Sequence, residues 1–462
     1  MPSTRPNPWL LLPLFAALGG CTAVATRPAA PEPDAGAAFS VPVETRAPAR
    51  GGAWWAQELG ATQRIWVERL LTDNPAIQLA AAEVERQRAR LDAATAATGP
   101  SLDAVAGGRV SRDDGEQSER LSAGIDATLP LDLFGQLASS RDARAWEHAQ
   151  ALALLEDTRR VQVESLLLAL TDYAESRQRQ ALLQEQIGTT AQQLHLTEIR
   201  FTQGLVSSVD VLQQQQQIAS LRQQLPDEER SARLAMNRAS ELLGGTPKLA
   251  MKLPQELTAL PPTIALSRPI ELLHRRPDLL AQQAALGAAD ADFETALRAR
   301  LPSLGLSGSA LWQLASGNPG AIIQAALDAS VNLFDSGARA AEIQTRRALL
   351  RQAGIRYLQD WLAAVRQTDD LLNTLAAQDR QLQLTHERLQ IADRLYRATL
   401  SRYQRGVTDY LPVLTALQDL QQQQREALHL TAERQRTLIR LKTAAGLVPA
   451  GDAAPAPNGE TS

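Results

Sequence analysis

The sequence lacks long apolar runs, an excess of basic charge and all but one cysteine. Cys21 is the single cysteine among 462 residues, so a disulfide within the chain is excluded. After the first twenty residues no segment holds eighteen consecutive apolar residues, and we therefore expect no membrane-spanning helix. The formal net charge of −4 offers no basic surface to a phosphate backbone, so we predict no nucleic-acid partner.

Catalytic motifs are absent as well. None of the five histidines has ligand or triad spacing, and the pair His386-Glu387 lacks a second histidine four residues away. No Gly-x-Ser-x-Gly or Gly-x-Gly-x-x-Gly pattern occurs. We therefore predict that the protein is not an enzyme and has no catalytic residues, no metal and no cofactor other than a covalent lipid. The histidines are His148, His195, His274, His386 and His429.

The first residues predict export. Arg5 precedes an apolar run over residues 9–18, which is too short to span a bilayer and is typical of a cleaved signal over residues 1–20. The run ends in Leu18-Gly19-Gly20-Cys21, which resembles a bacterial lipobox, so we predict lipidation of Cys21. Thr22 follows instead of an aspartate, and by resemblance to sorted lipoproteins this suggests the outer membrane. Residues 21–53 and 448–462 are rich in Pro, Ala and Gly and are expected to be flexible.

An internal repeat organises the rest of the chain. The segment Arg200-Phe201-Thr202-Gln203-Gly204 recurs 202 residues later as Arg402-Tyr403-Gln404-Arg405-Gly406. The same offset relates Pro75 to Pro277 and Pro100 to Pro302. A tandem duplication predicts one supersecondary unit built twice, and hence pseudo-symmetry. We place the two repeats at residues 54–247 and 276–447, joined by a connector over residues 248–275.

Each repeat contains a long stretch without proline that predicts helix. In the second stretch a heptad runs from Trp361 to Tyr403, and it predicts a helix over about residues 336–405, roughly 100 Å long at about 1.5 Å per residue. Gly204 and Gly406 would end the long helices. Each repeat is then a helical hairpin, over about residues 135–245 and 336–446.

Two features of the returning helices follow from the same pattern. Either of two residues after each glycine can cap the helix that returns: Ser207 or Ser208 in the first repeat, and Thr408 or Asp409 in the second. Glutamine runs at residues 213–217 and 421–424 lie on these helices. We expect them to be solvated helix faces, with a polar channel lining as the alternative.

Between the helices, apolar residues alternate with polar or small ones. The period of two predicts strands over about residues 101–131 and 303–333, four in all, with one apolar face. Their length suits a tilted membrane strand. Four strands cannot close, and an open edge in lipid leaves backbone groups unpaired, so several chains would share one barrel. The alternative is a soluble four-stranded sheet beside a helical bundle.

These residues together resemble a known family, the TolC-like outer-membrane factors, and within it the OprM/NodT-type lipoproteins of resistance-nodulation-division (RND) efflux systems. The most specific pieces are the two glycine-centred motifs and Leu133-Phe134-Gly135 with Leu333-Phe334-Asp335-Ser336-Gly337, where strand gives way to long helix. The resemblance covers about residues 50–447. It implies a mostly helical homotrimer in which four strands per chain close a twelve-stranded β-barrel, with a coiled-coil helical tube in the periplasm.

The resemblance also implies a function and partners. The chain would be the outer-membrane channel of a tripartite efflux system in a Gram-negative bacterium, a passive exit duct for drugs or other small toxic solutes. An inner-membrane RND transporter and a periplasmic membrane-fusion adaptor would deliver the solutes, and outer-membrane lipid would surround the barrel. Two other readings stay open. One is the outlet of a type I secretion or metal-efflux system, and the other is a periplasmic coiled-coil adaptor or structural lipoprotein.

The family's site residues can be carried onto this sequence by motif. The gate would be Tyr403 bonded to Asp210 of a neighbouring helix, with Asp409 as a further source of negative charge. The family's gate arginine falls on Thr408, and an inner acidic ring falls on Pro412 and Thr415, so a cation-binding constriction is doubtful. Adaptor docking would use the tips of the two hairpins, which are Gly204, Leu205, Val206, Ser207, Gly406, Val407 and Thr408.

Overall fold

The computed structural model describes most of the chain after the first fifty residues. The described ranges are 38–40, 54–113, 116–246, 253–257, 260–261, 268–315 and 318–446. The predicted signal peptide, the predicted lipidation site Cys21 and the predicted tail over 448–462 lie outside them. Within the described ranges no helix is both long and apolar enough to cross a membrane.

The described chain is mostly helical, with four strands, and each element from the third helix onward in the first repeat has a counterpart in the second. The elements of the first repeat are α1 (Trp54–Glu58), α2 (Ala61–Asp73), α3 (Pro75–Ala96), β1 (Ser101–Asp113), β2 (Glu116–Leu131), α4 (Gln136–Thr202) and α5 (Ser208–Leu242). The connector contains one 3-10 turn at Pro269–Glu271 and α6 (Leu272–Arg275). The second repeat has α7 (Pro277–Arg298), β3 (Ser303–Ala315), β4 (Asn318–Ser330), α8 (Ala338–Gln404) and α9 (Leu411–Ala444).

The two longest helices, α4 and α8, have 67 residues each. At about 1.5 Å per residue each is about 100 Å long. Helix α4 packs against α5, α3, α7 and α9, and α8 packs against α9 and α7. The helices therefore form a single layer, in which the short helices lie beside the half of the long helices nearer the strands and the returning helices lie beside the other half.

The junctions between short and returning helices explain why the layer is continuous. The side-chain amide of Asn74, which caps α3, donates to Leu242 O at the end of α5 over 2.7 Å. Gly244 follows α5 at φ 69°, and a Cβ there would lie 2.6 Å from Asp73 O. The second repeat has the same close approach, since a Cβ at Gly446 would lie 2.5 Å from Arg275 O. Only glycine fits where the two helix ends meet.

The largest core lies around the middle of the long helices. Trp54, Leu70, Leu166 and Trp361 are buried there, with the end of α9. Lys442 of α9 is buried as well, and its ammonium contacts Glu58 Oε2 at 2.7 Å. Burying an ammonium is costly unless it is paired, so this contact fixes α1 against α9.

The strands form one antiparallel sheet in the order β1-β2-β3-β4. Leu102 pairs with Ala127, Ile125 with Ala310, and Ala310 with Ile323, so one apolar face continues across all four strands. Its side chains are exposed: Leu102 is 75% and Ile323 84% accessible. The opposite face is mostly polar or small. Strands β1 and β4 are edge strands, with one side of each unpaired.

The second pair of strands is shorter than predicted. Strand β4 ends at Ser330, not at residue 333. Asn332 and Asp335 redirect the chain, because Asn332 Oδ1 accepts from Phe334 N over 3.1 Å and Asp335 Oδ1 accepts from Gly337 N over 3.0 Å. Such side-chain bonds to the local backbone compete with a strand ladder.

Candidate functional site

The two turns at the end of the long helices away from the strands have the same backbone conformation. After α4, Gly204 has φ 74° and Leu205 N donates to Arg200 O over 2.9 Å. After α8, Gly406 has φ 75° and Val407 N donates to Arg402 O over 3.0 Å. These are Schellman motifs, in which a left-handed residue satisfies the last carbonyls of the helix. A Cβ at either glycine would meet open space, so the turn needs glycine for its φ alone.

Both turns present apolar side chains. Leu205 is 64% accessible and Val407 is 62% accessible, and they occupy equivalent positions in the two turns. Val206 is half-buried against the second hairpin, whereas Gly204, Ser207 and Gly406 are exposed and Thr408 is half-buried. The predicted docking residues thus form one end of the molecule, with an exposed aliphatic side chain on each tip.

The returning helices begin differently. Helix α5 starts with a capping box: Ser207 Oγ accepts from Val209 N over 3.0 Å, and Asp210 Oδ2 accepts from Ser207 N over 3.1 Å. Ser207 is therefore the cap, of the two serines considered. Helix α9 starts at Leu411 with Tyr410 at the cap position and no side-chain cap bond. The expectation that Thr408 or Asp409 caps α9 is wrong, because the chain enters α9 through the buried Tyr410.

A buried aromatic cluster supports the second turn. The rings of Tyr403 and Tyr410 meet edge to face with centroids 5.4 Å apart, packed against Val413 and Leu414. The guanidinium carbon of Arg200 lies 4.5 Å from the centroid of the Tyr403 ring. Arg200 Nη1 also donates to Tyr403 O over 3.3 Å. A cation over an aromatic face is attracted by the ring quadrupole, so Arg200 ties the first turn to the second.

The predicted gate residues are Tyr403, Asp210 and Asp409, and the first two lack the bond between them that a gate requires. The hydroxyls of Tyr403 and Tyr410 are buried and have no hydrogen-bond partner among the described residues. Asp210 is half-buried and bonds its own helix start, so no Tyr403–Asp210 bond forms within one chain. Burial raises the pKa of Tyr410 above its ordinary value, and the nearby charge of Asp210 adds to the rise. Asp409 is exposed. The gate, a bond between Tyr403 and Asp210 of a neighbouring helix, stays a prediction.

Sequence reasoning missed Tyr410 and the contact between Arg200 and Tyr403. Tyr396, Tyr403 and Tyr410 follow one another every seven residues, so one more step of the heptad would have found Tyr410. The Arg200 contact had no signal in the sequence, because Arg200 and Tyr403 lie on different hairpins and meet only when the hairpins pack.

The glutamine runs are solvated only in part: Gln215, Gln216 and Gln422 are exposed, as the sequence predicts, and the other glutamines are buried or half-buried. Gln214 and Gln421 are buried, and glutamine side chains form a hydrogen-bonded seam joining α4, α5 and α9. The seam consists of Gln214 Nε2 to Thr197 Oγ1 (2.5 Å), Gln186 Nε2 to Gln421 O (3.1 Å), Gln217 Nε2 to Gln421 Oε1 (2.9 Å) and Gln421 Nε2 to Thr190 Oγ1 (3.2 Å). Hydrogen bonds offset much of the cost of burying these amides, although Gln214 Oε1 is buried without a partner among the described residues.

Beyond the seam, α4, α5 and α9 line an open cavity of about 970 Å³. Glu175 lines it, 9% accessible at the side chain, and bonds Arg436, Arg179 (2.9 Å) and His429 Nδ1 (3.1 Å). Burial opposes the charge of Glu175, but the arginines outweigh it and hold its pKa below the ordinary value. Among the described residues no three His, Cys, Asp or Glu side chains are arranged to hold a metal.

The family model described as Outer membrane efflux protein matches residues 66–245 and 269–447. The chain belongs to the outer membrane efflux protein family. Each matched segment covers one repeat, and the predicted family, fold class, outer-membrane location and efflux role are confirmed.

Relatives and solved structures match most of the chain. It is 28% identical over 430 residues to the pyoverdine export outer membrane protein OpmQ of Pseudomonas aeruginosa, covering 85% of this chain and 86% of that one. It is 27% identical to the cation efflux system protein CusC of Escherichia coli, covering 95% and 99%. The fold matches the outer-membrane channel OprN with a TM-score of 0.83 at 23% identity, covering 91% and 98%. VceC of Vibrio cholerae gives 0.78 at 22% identity, covering 86% and 99%.

Proposed function

We propose that this chain acts, as a homotrimer, as the outer-membrane exit duct of a tripartite efflux system. The observation that carries the proposal is the sheet, which exposes one apolar face, keeps a mostly polar face opposite and has two unpaired edges. In lipid each unsatisfied backbone group costs several kcal/mol. Three copies that close twelve strands remove every edge, turn the apolar face to lipid and leave the polar face around a lumen.

The long helices give the duct its reach. Each of α4 and α8 runs for 67 residues from the sheet to the tip, about 100 Å at about 1.5 Å per residue. Three such helical layers placed edge to edge continue the barrel as a tube through the periplasm. The tips, where Leu205 and Val407 are exposed, then meet the periplasmic adaptor that joins the duct to an inner-membrane RND transporter.

The cargo is proposed to be drugs or other small toxic solutes. The relatives are named for different cargoes, pyoverdine for OpmQ and cations for CusC, so membership of the family leaves the solute class open. Passage through the duct is passive and needs no catalytic residue. A lipid on Cys21 would add an anchor, with roughly 0.8 kcal/mol for each buried methylene.

The gate is proposed to be a bond between Tyr403 of one chain and Asp210 of its neighbour. The Tyr403 hydroxyl is buried and has no partner among the described residues, so its side chain must turn outward to reach the neighbouring Asp210. Asp210 keeps acceptor capacity beyond its bond to Ser207 N. A hydrogen bond to a charged group contributes about 1.5–3 kcal/mol, which adaptor contacts can offset.

The experiment that tests the function combines native mass spectrometry with planar-bilayer conductance of the purified full-length protein. A trimer with discrete single-channel steps is the expected result. A monomer without conductance would overturn the proposal. It would place the four strands in a soluble core and favour the alternative of a periplasmic coiled-coil lipoprotein.

The same bilayers test the gate. Tyr403→Phe combined with Asp210→Ala should raise the single-channel conductance. Ser207→Ala is the matched control, because it removes the cap of α5 and leaves both gate groups in place. Unchanged conductance in the double variant, or an equal rise in the control, would contradict the gate.

A further inference from the structure

Two arginines face each other across β1 and β2. Arg109 and Arg120 are direct partners in the ladder, and both side chains are exposed. Neither makes an ion pair or hydrogen bond with another of the described residues. Like charges directly opposite each other destabilise a strand pair, so the sheet gains nothing in stability from this arrangement.

The arginines lie on the polar face of the sheet. Side chains alternate along a strand, so Arg109 shares its face with Ser101 and Asp103, and Arg120 shares its face with Asp126. Asp103 and Asp126 are themselves direct partners, six residues from the arginine pair along each strand. Six residues span about 20 Å at about 3.3 Å each, so the carboxylates do not reach the guanidinium groups.

The internal repeat supplies a natural comparison. Residues 202 positions after Arg109 and Arg120 are Leu311 and Ile322, which are also direct partners, in β3 and β4. The same place in an equivalent hairpin thus holds two aliphatic side chains, and the hairpin forms without a guanidinium there. The arginine pair is therefore not required for strand pairing. Its role is to act on whatever occupies the space on the polar side of the sheet.

We propose that Arg109 and Arg120 form an anion-attracting ring in the outer part of the lumen and favour the passage of anionic solutes. The proposal rests on the trimeric duct proposed above, in which the polar face lines the lumen. Two arginines from each of three chains place six guanidinium groups at one level. Rings of arginine or lysine select anions in pores.

The positions of the charged residues along β1 set the order in which a departing solute meets them. Arg109 is four residues from the end of β1 at Asp113, near the hairpin loop, whereas Asp103 is two residues from the start of β1 at Ser101, beside the helices. A solute that leaves the helical tube therefore passes the carboxylates of Asp103 and Asp126 before the guanidinium groups. The ring thus offers anions a favourable contact after they have passed these carboxylates.

The test is the reversal potential of the full-length trimer in a planar bilayer under a KCl gradient. Arg109→Leu with Arg120→Ile copies the second hairpin, and Arg109→Lys with Arg120→Lys keeps the charge. The Leu/Ile variant should lower the chloride-to-potassium permeability ratio at least about threefold, and the Lys variant should keep it near the unmodified value. The difference should shrink in about 1 M salt, where the Debye length is about 3 Å.

The possible results distinguish a failure of the proposed arginine ring from a failure of the proposed trimeric duct. An unchanged permeability ratio in a Leu/Ile variant that still forms trimeric channels overturns the ring and leaves the duct intact. Loss of the trimer in the Leu/Ile variant alone would also overturn it, since the arginines would then serve assembly. Absence of channels from the unmodified protein would instead refute the duct itself.

Discussion

The two repeats have the same backbone and different side chains. Helices α3 and α7, strands β1 and β3, and helices α4 and α8 begin and end at positions that differ by 202 residues. Gly204 and Gly406 differ by one degree in φ. At the tips, however, the first repeat has a polar capping box and the second has a buried tyrosine cluster.

The difference shows which features a duplicated unit must keep. The glycines at turns and junctions stay because no other residue adopts their φ without strain. Positions that do not fix the backbone have diverged, such as Ser208 and Tyr410, or Arg109 and Leu311. The repeats therefore share a scaffold, and each adds its own chemistry to it.

The largest expected effect separates the two tips. Tyr410→Ala removes a fully buried ring from the α8–α9 hairpin and should cost about 3–5 kcal/mol locally. Ser208→Ala, at the equivalent exposed position, should cost less than about 0.5 kcal/mol. Hydrogen exchange read by mass spectrometry measures both, over residues 396–420 for Tyr410→Ala and over the equivalent residues 194–218 for Ser208→Ala. Equal loss of protection in the two variants would show that the tips do not differ in their packing.

A smaller effect should follow from pH at Glu175. Its counterpart 202 residues later is the exposed Ala377, which carries no charge. Because the folded-state pKa of Glu175 is lowered, its stabilisation is complete above the unfolded value of about 4.3 and is lost as pH falls through the folded value. Glu175→Gln should lower the free energy of unfolding by about 1–3 kcal/mol at neutral pH. It should also make that free energy fall less steeply as the pH is lowered.

Urea unfolding at a series of pH values checks this, with Ala377→Glu as the control. The control places a carboxylate at the equivalent position of the second repeat, where water solvates it in the folded and the unfolded chain alike. It should therefore leave the dependence of the free energy of unfolding on acid pH unchanged. The free energy of unfolding could instead fall with pH as steeply in Glu175→Gln as in the unmodified protein. Other carboxylates would then account for the loss of stability in acid.

The smallest effect distinguishes the two helix starts. Ser207→Ala removes the side-chain acceptor of the capping box and should cost about 1 kcal/mol. Thr408→Ala should change stability by less than about 0.5 kcal/mol, since Thr408 does not cap α9. Hydrogen exchange in the first turns of α5 and α9 gives both values. A larger loss for Thr408→Ala would reverse the assignment of the caps.

Much of the fold was predictable because its signals are local. The heptad from Trp361 to Tyr403 and the alternation from Leu102 to Val110 each report one element without reference to another. The left-handed residues after α4 and α8 were predictable for the same reason. The candidate site was predictable in part: the turns and the Ser207 cap follow from local chemistry, whereas the Arg200 contact with Tyr403 does not.

The sequence alone determined the repeat, the helices, the strands and the turns between them, because these depend on residues close together in the chain. Tertiary structure alone decided which polar side chains are buried. Gln421 bonds Thr190, 231 residues away, and Glu175 bonds Arg436, 261 residues away. A glutamine or glutamate on a helix has the same local pattern whether water or another helix faces it, so only the packing of α4 against α9 makes these groups part of the core.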